Sequence, residues 1–284
     1  MITTIVYSKD RPLQLDLCLQ SISKNFDQAS SVIVIYKATD IYEESYRTLQ
    51  SEHPYINFIL QGDSIFKDTL DVISSAENDF VCLFTDDDIV YQKVPNIIYD
   101  ILKAESQIHC FSLRMGVNIN KRYHEGHLYE DTPIPSMLQR IDEQNMCWAK
   151  TLREYGSYWS YSLSVDGHIF RKKDMELMFD EMWYLNQRYT DWEQTPNRIE
   201  SVMQRFWTDS KPLIASFINS VVVNSPNNRV QDSHLSNRFG EAYGYDADTL
   251  LEKYVLGRRI NIDKLNFGQI ECPHTEINLM EGLK

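Results

Sequence analysis

Short apolar runs alternate with longer amphipathic stretches through roughly the first hundred residues of the chain. Runs of β-branched and aromatic residues predict strands, and apolar residues spaced three or four apart predict helices. The predicted strands cover residues 3–7, 31–36, 57–60 and 80–84, and the predicted helices between them cover 13–22, 42–51 and 65–75. This alternation is typical of βαβ units, which build a mostly parallel, Rossmann-like sheet with flanking helices. We therefore predict an α/β fold.

The pattern becomes less regular after the first 115 residues. A helix over 94–103 and a strand over 108–113 are predicted, and residues 118–136 then lose all periodicity, which indicates an irregular, mobile loop. Further helices are predicted over 174–185, from near residue 197, and over 247–255, with a strand over 220–223. The chain after residue 225 is predicted as an irregular C-terminal extension. We interpret residues 1–115 and 116–284 as two halves of one domain.

Each of the first four predicted strands ends in polar residues. These are Ser8-Lys-Asp-Arg11, Thr39-Asp40, Gln61-Gly-Asp63 and Thr85-Asp-Asp-Asp88. The carboxyl ends of parallel strands face a common crevice, and ligands usually bind there. The sequence therefore predicts a binding site at this edge of the sheet.

Charge and cysteine content narrow the class of partner. The net charge of −13 would repel a nucleic acid backbone, so nucleic acid is excluded as a partner. An acidic chain still binds an anionic nucleotide when a divalent cation lies between its carboxylates and the phosphates. The five cysteines are scattered without a CxxC pair, and no apolar run approaches the length of a membrane span. We predict a cytoplasmic protein without a transmembrane segment, and peripheral membrane attachment stays open.

Three consecutive aspartates follow the fourth predicted strand. Asp86 and Asp88 are two residues apart, and near a strand end both can turn toward one hard cation, Mn²⁺ or Mg²⁺. Asp87 can then orient a sugar hydroxyl or support the metal from outside its ligand shell. A cation held in this way bridges two phosphates and stabilises a departing diphosphate. The alternative interpretation is an ordinary turn, because aspartate is common after strands.

The stretch Asp79-Phe-Val-Cys-Leu-Phe-Thr-Asp-Asp-Asp88, together with Gly62, Ser64, Leu70 and Ala76, resembles the central signature of GT-A-type glycosyltransferases. The opening Ile5-Val-Tyr-Ser-Lys-Asp-Arg-Pro12 is similar to the first βα unit of family 2 of that superfamily. The resemblance covers about the first 115 residues. It implies a GT-A fold and a metal-dependent hexosyltransferase that takes a UDP- or GDP-linked sugar to an unknown carbohydrate, lipid-linked or protein acceptor. The residues it assigns to the nucleotide are Ser8, Arg11, Asp40, Asp63, Lys67, Asp86 and Asp87.

The resemblance also suggests a base in the second half. Glu200 takes the place of the acid that accepts the acceptor's proton, although Ser201 stands where the family has a second acid. Asp191 and Glu193 are alternatives, and ordinary exposed helix acids would explain all three residues. A retaining mechanism, which needs no such base, remains open.

Several later residues are weaker candidates. His234, and less strongly His274, lie in the C-terminal region from which many GT-A enzymes complete the metal shell, and a surface histidine is the alternative. Trp159 and Trp192 are candidate platforms for a sugar ring, although both would equally suit a core. Three arginines are candidates to clamp the diphosphate: Arg229, Arg258 and Arg259.

Other functions fit parts of the pattern. Asp86-Asp-Asp88-Ile-Val90 also fits the nucleophile motif of haloacid-dehalogenase-type phosphatases, but three βα units precede it and no later Gly-Asp-x-x-x-Asp pair follows. A nucleotidyltransferase usually opens with a Gly-rich basic loop, which is missing between Tyr7 and Leu13. A catalytically inactive nucleotide-sugar-binding protein is the non-enzyme alternative, supported by the serine beside Glu200.

Overall fold

The computed structural model describes residues 1–124, 127–132, 134–135, 138–149, 158–161, 163–189, 192–206, 211–230 and 239–284. Its strands are β1 (Ile2–Lys9), β2 (Ala29–Lys37), β3 (Asn57–Leu60), β4 (Phe80–Thr85), β5 (Asp88–Val90), β6 (Ile108–Ser112), β7 (Lys121–His124), β8 (His127–Asp131), β9 (Gln139–Arg140), β10 (Asn145–Ala149), β11 (His168–Arg171), β12 (Leu213–Phe217) and β13 (Val222–Asn224). Its α-helices are α1 (Pro12–Asn25), α2 (Glu43–Glu52), α3 (Ile65–Ser75), α4 (Ile98–Ala104), α5 (Lys172–Arg188), α6 (Pro196–Met203) and α7 (Ala247–Val255).

Nine of these strands form one sheet, in the order β3-β2-β1-β4-β11-β6-β12-β10-β9. Strands β3, β2, β1 and β4 pair in parallel, and β1 is buried at seven of its eight positions. Strands buried on both faces read as continuous apolar runs, which is why the sequence pattern found this half of the sheet. The helices that connect these strands cover the sheet and complete the core.

Antiparallel pairing enters the sheet in its second half. Strand β11 lies between β4 and β6 and is antiparallel to both, and β10 is antiparallel to β12 and β9. All the other strands of this sheet share one direction, because β12 pairs in parallel with β6. The predicted α/β fold with a mostly parallel central sheet is therefore confirmed.

The structure differs from the sequence prediction at several elements. The prediction of an irregular loop over residues 118–136 is wrong, because β7 and β8 pair there as an antiparallel hairpin. The strand predicted over 220–223 is β13, which pairs with β5 outside the central sheet. Strands β10 and β12 were not predicted. Strand β11 comes from the second predicted half yet lies between two strands of the first, so one sheet spans the boundary proposed at residue 115.

Local sequence explains where α6 begins. Thr195 caps its first turn by accepting a hydrogen bond from the backbone N–H of Arg198 at 3.3 Å, and Pro196 occupies the first helical position. Ile199, Val202 and Met203 form the buried face of the helix. This start and this face place Glu200 at the wall of the cavity described below. Among the described residues, none of the helices combines the length and apolar character needed to cross a membrane.

A close backbone approach behind the site explains a glycine. The chain after β6 hydrogen-bonds to the segment before β13 through Val117 N to Ile218 O at 2.7 Å. A Cβ at Gly116 would lie only 2.4 Å from the backbone nitrogen of Ser220 and 2.7 Å from the carbonyl carbon of Asn219. Only a residue without a side chain allows these two segments to meet here.

Gly116→Ala is expected to lower the free energy of unfolding by about 1–3 kcal/mol, because backbone must shift to admit the methyl group. Urea denaturation of both proteins measures this difference. Gly62→Ala is the matched control, because its Cβ would meet only the Asp68 carboxylate, at 3.3 Å. Equal losses in the two variants would contradict the account of Gly116.

Candidate functional site

The ends of β1 and β4 lie side by side and bring Ser8, Arg11 and Asp86 together. Strand β4 is apolar up to Phe84, and the chain then leaves the core through a turn at Asp86 and Asp87. The hydroxyl of Ser8 donates to Asp86 Oδ2 at 2.8 Å, and the backbone N–H of Lys9 donates to the same oxygen at 3.1 Å. Parallel pairing of the two strands therefore produces the predicted meeting of strand ends.

Asp86 is almost completely buried, with 3% of its surface exposed. Burial raises the pKa of this carboxyl group to about 6, because it outweighs the opposing charge of Arg11, and the neighbouring Asp87 adds to the rise. A carboxylate with this pKa is protonated in part under mildly acidic conditions. The charge state of the site therefore changes between about pH 5 and 7.

Arg11 bridges the two aspartates of the turn. Its Nη1 donates to Asp86 Oδ1 at 3.0 Å and to Asp87 Oδ2 at 2.9 Å, while its Nε donates to Asn228 Oδ1 at 2.7 Å. Burial alone would lower the pKa of this guanidinium, but the charges of Asp87 and Asp86 raise it above its ordinary value. Asp10, whose φ of 52° lies in the left-handed region, turns the chain between β1 and Arg11. Its carboxylate accepts a hydrogen bond from Thr39 N at 2.7 Å and ties this turn to the end of β2.

Asp88 lies behind the turn rather than at the cavity. It is fully buried, and its Oδ2 accepts hydrogen bonds from Thr85 N at 2.8 Å and Thr85 Oγ1 at 3.2 Å. Its Oδ1 accepts from Asn224 Nδ2 at 3.1 Å. Burial and the charges of Asp166 and Asp87 raise the pKa of Asp88. Residues 86 and 87 form a turn, which interrupts the alternation of side chains along the strand. The guanidinium of Arg11 therefore pairs with Asp86 and Asp87, and not with Asp88.

A cavity of about 850 Å³ opens in front of Asp86 and Asp87. This volume suits a small organic ligand. Its wall carries five cationic side chains, Lys9, Arg11, Lys37, Arg114 and Arg229, and five carboxylates, Asp86, Asp87, Asp166, Glu193 and Glu200. These ten charges cancel, so the cavity wall is formally neutral whereas the chain as a whole has a net charge of −13. An anionic ligand is repelled less here than elsewhere on the molecule.

A second charged cluster lies beside the first, because the Thr85 hydroxyl donates to Asp87 Oδ1 at 2.8 Å and lies 3.5 Å from Asp166 Oδ1. Arg114, which follows β6, donates from Nη1 to Asp166 Oδ2 at 2.8 Å. The hydroxyl of Tyr161 donates to Glu200 Oε2 at 3.4 Å. Burial raises the pKa of Glu200 to about 7, with Asp166 adding to the rise and Arg114 opposing it. A carboxyl group with this pKa can both accept and release a proton at neutral pH.

The structure brings some of the predicted residues to the cavity and leaves others outside it. Those on the cavity wall are Ser8, Arg11, Asp86, Asp87, Glu193, Glu200, Arg229 and His274. Asp40 and Asp63 are exposed and do not line it, and Lys67 pairs with Asp71 along the surface of α3. Asp191 and His234 lie outside the described residues.

The aromatic and arginine candidates of the second half have structural partners away from the cavity. Trp159 is buried, donates from Nε1 to Ile119 O at 3.1 Å and packs edge-on against Trp148. Trp192 stacks on Tyr189. Arg259 pairs with Glu52, and Arg258 is exposed. These contacts account for Trp159, Trp192 and Arg259 without a sugar or a diphosphate, and Arg258 lies on the surface outside the cavity lining.

Lys9, Arg114, Asp166 and Asn224 belong to the site and were not predicted. Arg114 directly follows the predicted strand 108–113. Because the carboxyl ends of parallel strands face the crevice, its position after this strand would have predicted it as a site residue. Asp166 precedes β11, an antiparallel strand whose place in the sheet no local pattern indicates. Asn224 ends β13 and donates to Asp87 Oδ1 at 2.9 Å.

The carboxylates suit a hard cation in their chemistry but not in their present arrangement. Oxygen ligands are those preferred by Mg²⁺ and Mn²⁺. The guanidinium of Arg11 lies between Asp86 and Asp87, and Asp88 is turned away from the cavity. No group of three or more His, Cys, Asp or Glu side chains in the described part of the chain is placed to hold a metal ion. Asp86 and Asp87 are thus the residues that would hold such an ion, in place of Arg11 Nη1.

No protein-family model and no curated protein matches this chain. Among solved structures, it is similar to residues 1–349 of S. aureus TarS in complex with UDP, with 13% identity, a TM-score of 0.46 and coverage of 78% of this chain and 59% of that one. The longer TarS structure gives 16% identity and a TM-score of 0.43, and the match covers 80% of this chain but 37% of that one.

An active-site mutant of LgtC gives 10% identity, a TM-score of 0.40 and coverage of 75% and 72%. Glycosyltransferases are thus among the similar structures. All three likenesses concern the course of the chain at low similarity, so the chemistry has to be argued from the cavity itself.

Proposed function

We propose that this chain transfers a glycosyl group from a nucleoside diphosphate sugar to a hydroxyl group of an acceptor. One observation supports this most strongly: a single cavity joins the strand-end cluster of Arg11, Asp86 and Asp87 to a carboxyl group, Glu200, whose pKa is about 7. Cationic groups beside the first cluster suit a diphosphate, and the second group suits an acceptor hydroxyl. Donor and acceptor subsites within one cavity are what such a transfer needs.

The donor side holds its diphosphate through lysines. Lys9 Nζ donates to Val230 O at 2.9 Å, which leaves two N–H donors of its ammonium group for a ligand, and Lys37 lies on the same wall. Arg11 offsets one of the two negative charges of Asp86 and Asp87, which reduces their repulsion of the phosphates. The proposed donor is a UDP- or GDP-linked hexose.

Transfer forms one bond and breaks another at the anomeric carbon of the sugar. The acceptor oxygen bonds to this carbon, and the carbon–oxygen bond to the diphosphate breaks with its electron pair leaving on the diphosphate. The acceptor proton passes to Glu200, which is the proposed base of an inverting reaction. Lys9 and Lys37 stabilise the negative charge that develops on the diphosphate.

We also propose that Mn²⁺ or Mg²⁺ assists the donor side. The ion would be held by Asp86 and Asp87, and it would supply positive charge beside the departing diphosphate. Arg11 Nη1 already occupies the space between these carboxylates. The ion would therefore have to displace Arg11 Nη1 from between the two carboxylates. The metal dependence of nucleotide binding measures whether it does so.

A thermal-shift assay with UDP, GDP and CDP, with and without Mn²⁺, tests the proposal. UDP or GDP at a hundred times its Kd is expected to stabilise the protein by about 2.7 kcal/mol, which raises Tm by several degrees. With Mn²⁺ present, Asp87→Asn should weaken this response because it removes a ligand of the ion, while Asp71→Asn on the exposed surface of α3 should leave it unchanged. A response that needs Mn²⁺ supports the metal proposal, and a response equal without it contradicts that part alone.

Turnover separates the remaining alternatives. Release of UDP or GDP from a nucleotide sugar in the presence of acceptor supports the transferase, whereas binding without turnover supports an inactive nucleotide-sugar-binding protein. Hydrolysis of p-nitrophenyl phosphate without any nucleotide response would favour a phosphatase. No response to any nucleotide would contradict the proposed function.

A further inference from the structure

Three charged side chains from separate elements meet on the wall of the cavity that also holds Arg11. Arg114 follows β6, Asp166 precedes β11, and Glu200 lies on α6. The side chain of Arg114 is 1% exposed and that of Asp166 is 8% exposed. Taken alone, this group carries one negative charge more than it can neutralise internally.

Arg114 uses only part of its donor capacity. Its Nη1 donates to Asp166 Oδ2 at 2.8 Å and lies 3.5 Å from His274 Nε2. Its Nε and Nη2 are shielded from solvent and have no hydrogen-bond partner among the described residues. A guanidinium cannot lose its proton, so unpartnered N–H groups in the interior oppose folding. The ion pair with Asp166 uses one of these donors, and the positive charge of Arg114 also acts on the other groups of the wall.

Glu200 is surrounded by groups that act on its charge in opposite directions. Its Oε2 accepts a hydrogen bond from Tyr161 at 3.4 Å, and hydrogen bonds from the Ser164 side chain and the Val165 backbone also favour its ionised form. The charged and titratable groups that face it come from two other elements: Asp166 and Tyr161 from the segment before β11, and Arg114 from the end of β6. Asp166 opposes ionisation of Glu200, and Arg114 favours it.

We propose that Arg114 and Asp166 are positioning residues that act through Glu200 and balance its charge so that it takes up a proton at neutral pH. When Glu200 accepts a proton it becomes a neutral carboxylic acid. The positive charge of Arg114 and the negative charge of Asp166 then cancel, so these three side chains together carry no net charge. Without Asp166, Arg114 would pair with the Glu200 carboxylate and make it a poor base. Without Arg114, Glu200 would already be protonated before an acceptor arrived. The catalytic consequence rests on the proposed function, but the charge balance itself does not.

Titration of Glu200 in the free protein tests the proposal. Carbon-13 NMR of protein labelled at the glutamate side-chain carboxyl follows each glutamate, and Glu200→Gln identifies the signal of Glu200. Arg114→Gln is expected to raise the titration midpoint of Glu200 by about one pH unit or more, and Asp166→Asn to lower it by a similar amount. Arg114→Lys keeps the charge and should move the midpoint by less than about half a unit.

Opposite shifts are the distinguishing result, because general loosening of the wall would move both midpoints toward the ordinary value of about 4.3. Shifts in the same direction, or no shift, overturn the proposal. Arg47→Gln and Asp71→Asn, both on exposed helix surfaces, are the charge-matched controls and should change nothing. If Arg114→Gln does not fold, Asp166→Asn compared with Asp166→Glu still decides: Asp166→Glu keeps the charge and should move the midpoint by less than about half a unit, whereas loosening would lower it in both variants.

Activity data separate this proposal from the proposed function. If nucleotide sugar is turned over, the acidic limb of the pH profile of kcat/KM should move upward in Arg114→Gln and downward in Asp166→Asn. Turnover with a flat titration would overturn the charge balance alone. Opposite titration shifts without any turnover would sustain the charge balance and contradict the transferase.

Discussion

Replacing Arg11 by methionine is expected to lower the free energy of unfolding by about 3–5 kcal/mol at pH 8, the cost of breaking a buried ion pair by removing one partner. The side chains of Asp86 and Asp87 are 4% and 11% exposed, so their charges would be left in the interior without a cation. The hydrogen bond from Arg11 Nε to Asn228 is lost as well. Urea denaturation monitored by tryptophan fluorescence measures the loss.

The loss should depend on pH in a definite direction. The pKa of Asp86 in the folded protein is about 6, above its ordinary value, so the protonated form is favoured by folding. Stability linked to such a group is present at low pH and is lost as the pH rises through 6. Removing Arg11 raises this pKa further, and the neutral carboxyl group at pH 5 needs no cation. The variant should therefore lose less stability at pH 5 than at pH 8.

Arg47→Met is the matched control for Arg11→Met. Arg47 pairs with Glu43 and Glu44 on the exposed surface of α2, where its side chain is 64% exposed, and such pairs contribute about 0–1 kcal/mol. Adding Asp87→Asn to Arg11→Met should restore part of the stability, because one of the unpaired charges disappears. An equal loss at pH 5 and pH 8, or one no larger than in Arg47→Met, would contradict the assigned role of Arg11.

The sequence predicted the parallel half of the sheet well because its strands are continuous apolar runs. Strand β3 and helices α3 and α7 have the predicted bounds. Strand β10 pairs with β12, and β11 pairs with β4 and β6, across more than fifty residues of sequence, so no local pattern indicates their place in the sheet. The short hairpin of β7 and β8 carries no alternation and was read as an irregular loop.

The same distinction between local and distant contacts applies to the site. Ser8, Arg11 and Asp86 meet because β1 and β4 are neighbouring parallel strands, which the βαβ pattern implies. Arg11 pairs with Asp86 and Asp87. The sequence predicted that Asp86 and Asp88 would face one cation, but a turn at residues 86 and 87 interrupts the alternation of side chains on which that prediction depended. Arg114, Asp166 and Glu200 are up to 86 residues apart in sequence, and only the completed sheet places them on one wall.

Glu200→Gln is expected to lower kcat by about 10²–10⁴-fold, the contribution of a positioned general base. Glutamine has nearly the same shape but cannot accept a proton, so donor binding and its KM should change little. Steady-state release of UDP or GDP at saturating donor measures kcat. In the wild-type protein kcat/KM should fall as the pH drops below about 7, because protonated Glu200 cannot act as a base.

Stability provides a separate check on the same substitution. The pKa of Glu200 is raised in the folded protein, so its ionised form opposes folding once the pH passes about 7. Glu200→Gln removes that ionisation, and its stability relative to wild type should rise between about pH 5 and pH 8. Glu181→Gln, on the exposed surface of α5, is the control and should change neither kcat nor this dependence.

The outcome also decides between the stereochemical alternatives. A kcat within threefold of the wild-type value would show that no proton passes to Glu200 in the slow step. Asp191 and Glu193 would then be the remaining predicted bases, and retention of configuration at the anomeric carbon would indicate a mechanism without one. A large loss of kcat with inversion of configuration would instead identify Glu200 as the base. The pH-dependent gain in stability would show in addition that the buried, ionised carboxyl group of Glu200 destabilises the folded protein.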